Sequence, residues 1–128
     1  MPNSVTIERI PVHGDARGCV FEPLGAEGLP AQRNVHVVVT EPGAVRGNHA
    51  HPRGTEVMVV RGPMLVRTRD GDEVIDILVP PGEVYRFTIP AGVAHAVQNT
   101  GDAPSLLVSF VDVPHDPDHP NVVHEQLL

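Results

Sequence analysis

Short β-branched runs, each ended by a glycine or proline turn, constrain the fold of this chain more than any other feature. No stretch of ten residues keeps the helical apolar period of about 3.6 without an interrupting Gly or Pro. Apolar alternation typical of strands recurs instead, and the pair Asp70-Gly71 between two such runs indicates a hairpin. We therefore predict an all-β chain of about nine short strands, folded as a single antiparallel β-barrel or jelly roll. The predicted strands read VTIERI, GCVFEPL, NVHVVVT, EVMVVRG, PMLVRT, EVIDILV, EVYRFTI, HAVQN and SLLVSFV.

The length of the chain predicts one domain. Its 128 residues can enclose a single modest core and are too few for two. We expect the domain to span residues 1–128, with an N-terminal arm strand over 1–12 and a C-terminal arm over 113–128. The C-terminal arm is interrupted by prolines, so we expect it to pack irregularly and to leave its three histidines solvated, namely His115, His119 and His124.

Charge and composition exclude several partners. Nine basic and sixteen acidic side chains give a formal net charge of −7, and no basic stripe is present, so we expect no nucleic-acid partner. No apolar run approaches the length of a membrane span, and the first residues have no charged segment followed by an apolar one. We therefore expect no membrane association and a cytoplasmic location. One cysteine allows no disulfide within the chain.

Histidines at close spacing indicate a metal site. On an extended chain His49 and His51 point to the same side, Glu56 follows five positions later, and His95 comes after a second turn signal. Imidazole and carboxylate groups are the ligands preferred by divalent ions such as Zn, Fe, Mn or Ni. With eight histidines in the chain, ordinary surface positions are the alternative. We predict a divalent metal ion held by these four side chains.

The two histidine-containing stretches resemble the paired sequence motifs of the cupin superfamily. Residues 43–56 match the first motif, which consists of a glycine, five further residues, the sequence His-x-His and then a glutamate. Residues 90–99 match the second motif, Pro-x-Gly-x-x-His-x-x-x-Asn, in full. The resemblance covers nearly the whole chain and implies a cupin barrel with a metal site.

The spacing after the first motif does not decide which residue occupies the position of the acidic ligand. Five residues separate Glu56 from Gly62, where the superfamily pattern has six. If Gly62 sets the register, Thr55 takes the ligand position, because a slip of one residue reverses the facing of a strand. We favour Glu56, since threonine is a poor ligand for these metals and the following turn can absorb a change in length.

Sequences outside the metal motifs resemble a narrower group. The opening Asp15-Ala16-Arg17-Gly18 and the segments PGAVRGNHAH, IPAGVAHAVQNTGD and DPDHPN are similar to metal-binding cupins of nucleotide-sugar epimerases and ketoisomerases. That group includes the C-terminal domain of bifunctional capsular-polysaccharide reductase/epimerases, whose reductase domain has no counterpart in this sequence. The resemblance implies an epimerase or ketoisomerase of polysaccharide biosynthesis, acting on a nucleotide-linked 4-keto-6-deoxyhexose.

Such a reaction requires a group that moves the proton beside the ketone. By alternation Asn34 and His36 lie on one strand face, and the corresponding strand of the sugar cupins turns polar residues inward. We therefore name His36 as a candidate catalytic residue and Asn34 as a substrate-binding residue, although periodicity alone fits an outward His36 equally well. Tyr85, the sole tyrosine, is a second candidate proton donor, with core packing as its alternative.

Two arginines are candidates for binding a sugar-nucleotide diphosphate. Arg17 and Arg46 lie in the resembling segments, and guanidinium groups match phosphate geometry. For Arg17 an ion pair with Asp15 or Glu22 is the alternative.

Two other functions compete with the isomerase. A metal-dependent dioxygenase needs the same kind of metal site, and a non-catalytic cupin that binds a small molecule needs no chemistry at all. Since small β-barrels have sheet edges to cover, we also expect a homodimer in which the N-terminal run SVTIERI joins the sheet of the partner.

Overall fold

The structure is a computed structural model that describes residues 4–128, so the first three residues of the predicted N-terminal arm lie outside it. It contains twelve strands and one short 3-10 helix, Leu29–Ala31, within the described residues. The strands are β1 (Thr6–Ile10), β2 (His13–Asp15), β3 (Gly18–Val20), β4 (Asn34–Thr40), β5 (Val45–Ala50), β6 (Glu56–Arg61), β7 (Met64–Asp70), β8 (Glu73–Val79), β9 (Val84–Ile89), β10 (Ala94–Asn99), β11 (Ser105–Val111) and β12 (Val123–His124).

Two five-stranded antiparallel sheets form the two layers of the fold. One has the order β1-β9-β6-β11-β4 and the other the order β12-β5-β10-β7-β8, while β2 and β3 form a separate hairpin. The prediction of an antiparallel all-β jelly roll is confirmed. Three predicted runs coincide with β4, β8 and β11, and Asp70 pairs with Glu73 across the predicted hairpin turn.

Some strands differ from the sequence-based expectation for local reasons. The run GCVFEPL forms only the short β3, because Phe21 and Leu24 leave the strand and pack against an apolar cluster. Strand β5 was not among the predicted runs, since it carries backbone of positive φ at Gly47 and Asn48 that breaks the alternation. The described part of the chain contains no helix with the length and hydropathy of a membrane span.

Strand β6 separates two apolar clusters. Met58 and Val60 belong to the cluster between the sheets, whereas Val57 and Val59 belong to the cluster that Phe21 and Leu24 pack against. Alternation therefore gives Glu56 the same inward facing as Met58 and Val60, and gives Thr55 the opposite facing. The inner cluster consists of Met58, Val60, Met64, Val66, Val79, Phe87, Ile89, Val93, Val97 and Leu107.

The C-terminal arm returns to the edge of the second sheet. Strand β12 pairs with β5, with Val123 opposite Ala50 and His124 opposite His49. The Asn48 side chain then accepts hydrogen bonds from the backbone N–H groups of Leu127 and Leu128, at 2.9 and 3.0 Å. The arm thus borders the strand that carries the histidine pair.

Candidate metal centre and its cavity

Four potential ligands meet at one point inside the barrel. His49 lies in β5, His51 follows the end of that strand, Glu56 begins β6 and His95 lies in β10. One ligand atom from each residue lies within 4.8 Å of the others. Glu56 is 4% exposed and His95 is 2% exposed. The structure therefore brings together the four residues named from the sequence.

The structure also shows which way Glu56 and Thr55 point. The carboxylate of Glu56 lies 2.9 Å from Nε2 of both His51 and His95. Thr55 instead uses its backbone N–H to donate to Asp112 Oδ1, at 2.8 Å. The cluster contains Glu56, and the missing residue of the cupin spacing falls after it.

Pairing of β5 with β10 places two of the histidines side by side. His95 lies opposite His49 in the ladder, and the register shifts immediately after His95. Their ring centroids are 4.8 Å apart in an edge-to-face arrangement. Gly47 permits this approach, since its φ is +89° and an added Cβ would lie 2.8 Å from the carbonyl oxygen of His95.

Backbone carbonyls orient two of the rings. His51 Nδ1 donates to the carbonyl oxygen of Asn121 at 2.7 Å, and His95 Nδ1 donates to that of Val93 at 3.2 Å. In a neutral imidazole whose Nδ1 carries the proton, Nε2 presents a lone pair. Nε2 of His51 and Nε2 of His95 each lie 2.9 Å from Glu56 Oε1. The second carboxylate oxygen of Glu56 accepts a hydrogen bond from the Ser109 hydroxyl.

This arrangement of nitrogen and oxygen atoms is one that a cation would fit. His95 Nε2 is buried without a hydrogen-bond partner in the described chain, since its close contact with Glu56 lacks the direction of a hydrogen bond. Electron pairs that face one another in a buried site repel unless a proton or a metal ion lies between them. Imidazole and carboxylate donors suit a divalent transition metal, so the residues present fit such an ion.

The pKa shifts of the cluster favour the protonation states in which imidazole and carboxylate groups bind a metal ion. Burial, followed by the charges of His95 and His51, lowers the pKa of His49 to about 4. The hydrogen bond with Glu56 raises the pKa of His51. Burial alone would raise the pKa of Glu56, but the contacts with His51 and His95 outweigh burial and hold it well below the ordinary value. His49 is therefore neutral and Glu56 ionised near neutral pH.

Two cavities open from the cluster, and His36 borders both. The larger cavity, about 490 Å³, lies between Asn34, His36, His49 and His51 on the barrel and residues 113–122 of the C-terminal arm. The smaller, about 50 Å³, includes His36, Arg46 and three of the four cluster residues. Asn34 Nδ2 donates to His36 Nδ1 at 3.5 Å. A ligand in the larger cavity would lie between His36 and the cluster.

The remaining candidates lie at different distances from this centre. Arg46 borders the smaller cavity, with Nη2 3.5 Å from the carbonyl oxygen of Val39. Arg17 forms the alternative ion pair, 2.5 Å from Asp15 in the exposed β2–β3 hairpin. Tyr85 packs against the inner apolar cluster, 6.4 Å from the ring of Phe87, and neither cavity includes it. The structure thus brings Arg46 to the cluster and leaves Arg17 and Tyr85 apart from it.

Sequence reasoning missed two contributors from the C-terminal arm. His115, expected to be solvated, is exposed and also borders the larger cavity. Asn121 supplies the carbonyl that orients His51. The only sequence signal was the resemblance of DPDHPN to the sugar cupins; this segment contains Asn121 but not His115, and the resemblance assigns no position to any side chain.

Together, the two-layered antiparallel barrel and its partly buried cluster of three histidines and one glutamate define a cupin. A family model described as the polysaccharide biosynthesis C-terminal domain matches residues 13–123. The chain therefore belongs to that family.

Solved structures agree with this classification. The capsular polysaccharide assembling protein CapF from Staphylococcus aureus is 28% identical, with a TM-score of 0.68 over 75% of this chain and 27% of that chain. The sugar 3,4-ketoisomerase QdtA from Thermoanaerobacterium thermosaccharolyticum, in complex with TDP, is 18% identical, with a TM-score of 0.73 over 98% of this chain and 90% of that chain. At that identity QdtA shows the shared fold alone.

Curated relatives extend the same superfamily. Germin-like protein 5-1 of Oryza sativa subsp. japonica is 30% identical over 98 residues, which are 72% of this chain and 43% of that protein. Germin-like protein 1-3 of the same plant is 29% identical over 105 residues, 77% of this chain and 46% of that protein. The chain spans less than half the length of these relatives.

Proposed function

We propose that this chain is a metal-dependent isomerase of nucleotide sugars, which epimerises or ketoisomerises a 4-keto-6-deoxyhexose. One observation carries the proposal: Nε2 of His51 and Nε2 of His95 both lie 2.9 Å from Glu56, and His36 lines with His49 each of the two cavities beside them. This arrangement places a cation site and a candidate base around one space. The choice of substrate class is supported by the family of the chain, by its similarity to a capsular polysaccharide assembling protein and by the sugar 3,4-ketoisomerase activity of QdtA.

The proposed ligands are His49, His51, Glu56 and His95, and the ion is Zn, Fe, Mn or Ni. A bound divalent ion would supply Lewis acidity to the ketone oxygen of the substrate. The chain provides the donors in a preorganised state, because His51 and His95 are already oriented by carbonyl oxygens and Glu56 by the hydroxyl of Ser109.

His36 is the proposed acceptor of the proton beside the ketone. His36 lines both cavities, and its Nδ1, which Asn34 Nδ2 contacts at 3.5 Å, is the nitrogen that would accept the proton. Asn34 would contact sugar hydroxyls from the same strand face. The position of Tyr85 against the core favours His36 over Tyr85 in this role.

Phosphate binding is proposed for Arg46. Arg46 borders the smaller cavity together with three residues of the cluster, whereas the guanidinium group of Arg17 is engaged by Asp15 in the exposed hairpin. A diphosphate bound by Arg17 would have to extend out of the cavity to the hairpin. The variants Arg46→Gln and Arg17→Gln should therefore separate the two assignments, since only the first is expected to raise KM strongly.

The test is proton exchange in heavy water. Metal-loaded protein is incubated with UDP- and dTDP-linked 4-keto-6-deoxyhexoses, and proton NMR follows the signal of the carbon beside the ketone. We expect loss of that signal with the unaltered protein and with Tyr85→Phe. His36→Ala should abolish exchange while it retains metal, and His49→Ala should lose both.

Two alternative results would redirect the assignment. Oxygen consumption with a small organic substrate and no exchange with either sugar nucleotide would favour a metal-dependent dioxygenase. Ligand binding without either reaction would favour a non-catalytic cupin.

A homodimer and a cytoplasmic location, both expected from the sequence, stay predictions. In the structure β1 pairs along its length with β9 of the same chain, from Thr6 opposite Thr88 to Ile10 opposite Val84. Exchange of this strand between two copies would preserve the same pairing.

A further inference from the structure

One wall of the larger cavity is a segment tethered at both ends. Residues 113–120, here called the strap, follow β11 and precede Asn121. At the first end Asp112 Oδ1 accepts a hydrogen bond from the Thr55 backbone N–H, at 2.8 Å. At the other end Asn121 contacts the turn that follows the histidine pair. Both tethers therefore lie on the connection between His51 and Glu56.

Asn121 makes two kinds of contact at once. Its side chain forms a pair of hydrogen bonds with one residue, since Oδ1 accepts from the Arg53 backbone N–H at 3.0 Å and Nδ2 donates to the Arg53 carbonyl oxygen at 2.7 Å. Its backbone carbonyl oxygen accepts from His51 Nδ1 at 2.7 Å. The same residue thus holds the strap to the barrel and orients a ring of the cluster.

The strap is stiff, so the contacts at its ends determine where it lies. Asp116 directs its hydrogen bonds within the strap, because its two carboxylate oxygens accept from the Asp118 backbone N–H and from His119 Nδ1, each at 3.0 Å. Three prolines, at positions 114, 117 and 120, restrict the backbone further. A stiff segment of this kind moves as a unit about its ends, so its position over the cavity depends on the contacts of Asp112 at one end and, at the other, on those of Asn121 and on the pairing of β12 with β5.

We propose that Asn121 is a positioning residue: its side-chain clamp on Arg53 keeps its carbonyl on His51, so that His51 Nε2 stays directed at the metal position. This inference rests on the metal site of the proposed function. A ring whose Nδ1–H is held by a carbonyl cannot rotate away or move its proton to Nε2 without losing that bond. The wall of the cavity and the geometry of the cluster are thereby connected through one residue.

The experiment compares Asn121→Ala with Gln126→Ala. Both substitutions remove a carboxamide from the C-terminal arm, but the Gln126 amide contacts only the carbonyl oxygen of Leu128 near the chain end. Zinc affinity is measured by competition with a chelator at a temperature well below unfolding. We expect affinity to fall about 10- to 100-fold in Asn121→Ala, the range for loss of a partner that orients a ligand, and to change less than about twofold in Gln126→Ala.

A second readout reports on the ring itself. In the zinc-loaded unaltered protein, nitrogen NMR should show the His51 proton on Nδ1, with slow exchange against water. In Asn121→Ala that exchange should become at least about tenfold faster, which a purely global loss of stability would not cause under these conditions.

The outcomes separate the two claims. Equal zinc affinity in Asn121→Ala and the unaltered protein, or a His51 proton on Nε2 in the unaltered protein, would overturn the positioning role. Failure of the unaltered protein to bind any divalent ion would overturn the metal site of the proposed function.

Discussion

Replacement of Glu56 by glutamine tests the centre most directly, because its carboxylate lies against Nε2 of both His51 and His95. Glu56→Gln keeps the shape and the contact with Ser109 but removes the negative charge that His51 and His95 face at 2.9 Å. We expect it to abolish most of the thermal stabilisation that zinc gives to the unaltered protein.

The size of the effect follows from linkage. Zinc at 100 times its dissociation constant stabilises the folded state by about 2.7 kcal/mol. An unfolding entropy of about 2.1 cal/mol/K per residue gives about 0.27 kcal/mol/K for this chain of 128 residues, so Tm should rise by about 10 °C. If the variant binds about 100-fold more weakly, the same zinc concentration equals its dissociation constant, the stabilisation is about 0.4 kcal/mol, and Tm rises by only about 1.5 °C.

The assay is scanning calorimetry of each protein with and without zinc, so that any effect of the substitution on the metal-free protein cancels. Glu83→Gln is the matched control. Glu83 pairs with Arg9 at 2.7 Å at the start of β9, remote from the cluster, and should keep the full shift of about 10 °C. Equal zinc-induced shifts in Glu56→Gln and Glu83→Gln would refute the assignment of Glu56 as a ligand.

Three further predictions concern pH, packing and assembly. The folded protein holds the pKa of His49 at about 4 against 6.5 for the free side chain, so the unfolded chain binds more protons between these values. The metal-free protein should therefore lose about 1–2 kcal/mol of stability, after allowance for solvent screening, as pH falls from 6.5 to 4, measured by urea unfolding; a rise would contradict this. Phe87→Ala, between the sheets, should destabilise by about 3–5 kcal/mol in the same assay, whereas Leu78→Ala at a 68% exposed position should change stability by less than about 0.5 kcal/mol. Light scattering at micromolar concentration should find a dimer that loss of residues 1–10 weakens, and a monomeric full chain would contradict the predicted assembly.

Much of this protein could be predicted from local sequence. Alternation in β4, β8 and β11 marks strands because side chains alternate across a sheet whatever its partners are. The spacing of His49 and His51, with His95 after its own turn, identifies the potential ligands because few residue types suit a divalent ion. These properties depend on neighbours in the chain, so the sequence alone determined the fold class and the three histidines of the cluster.

The tertiary structure decided what depends on distant segments. Motif spacing did not decide whether Thr55 or Glu56 occupies the ligand position. The structure decides for Glu56, which lies on the same face of β6 as Met58 and Val60, because the two faces of that strand pack against different apolar clusters. No periodicity could bring Asn121 to His51, 70 positions earlier, because that contact forms only when the C-terminal arm pairs with β5. A pattern of residues specifies which side chains are available and on which face of a strand each of them lies. Contacts between segments far apart in the chain determine which of those groups meet.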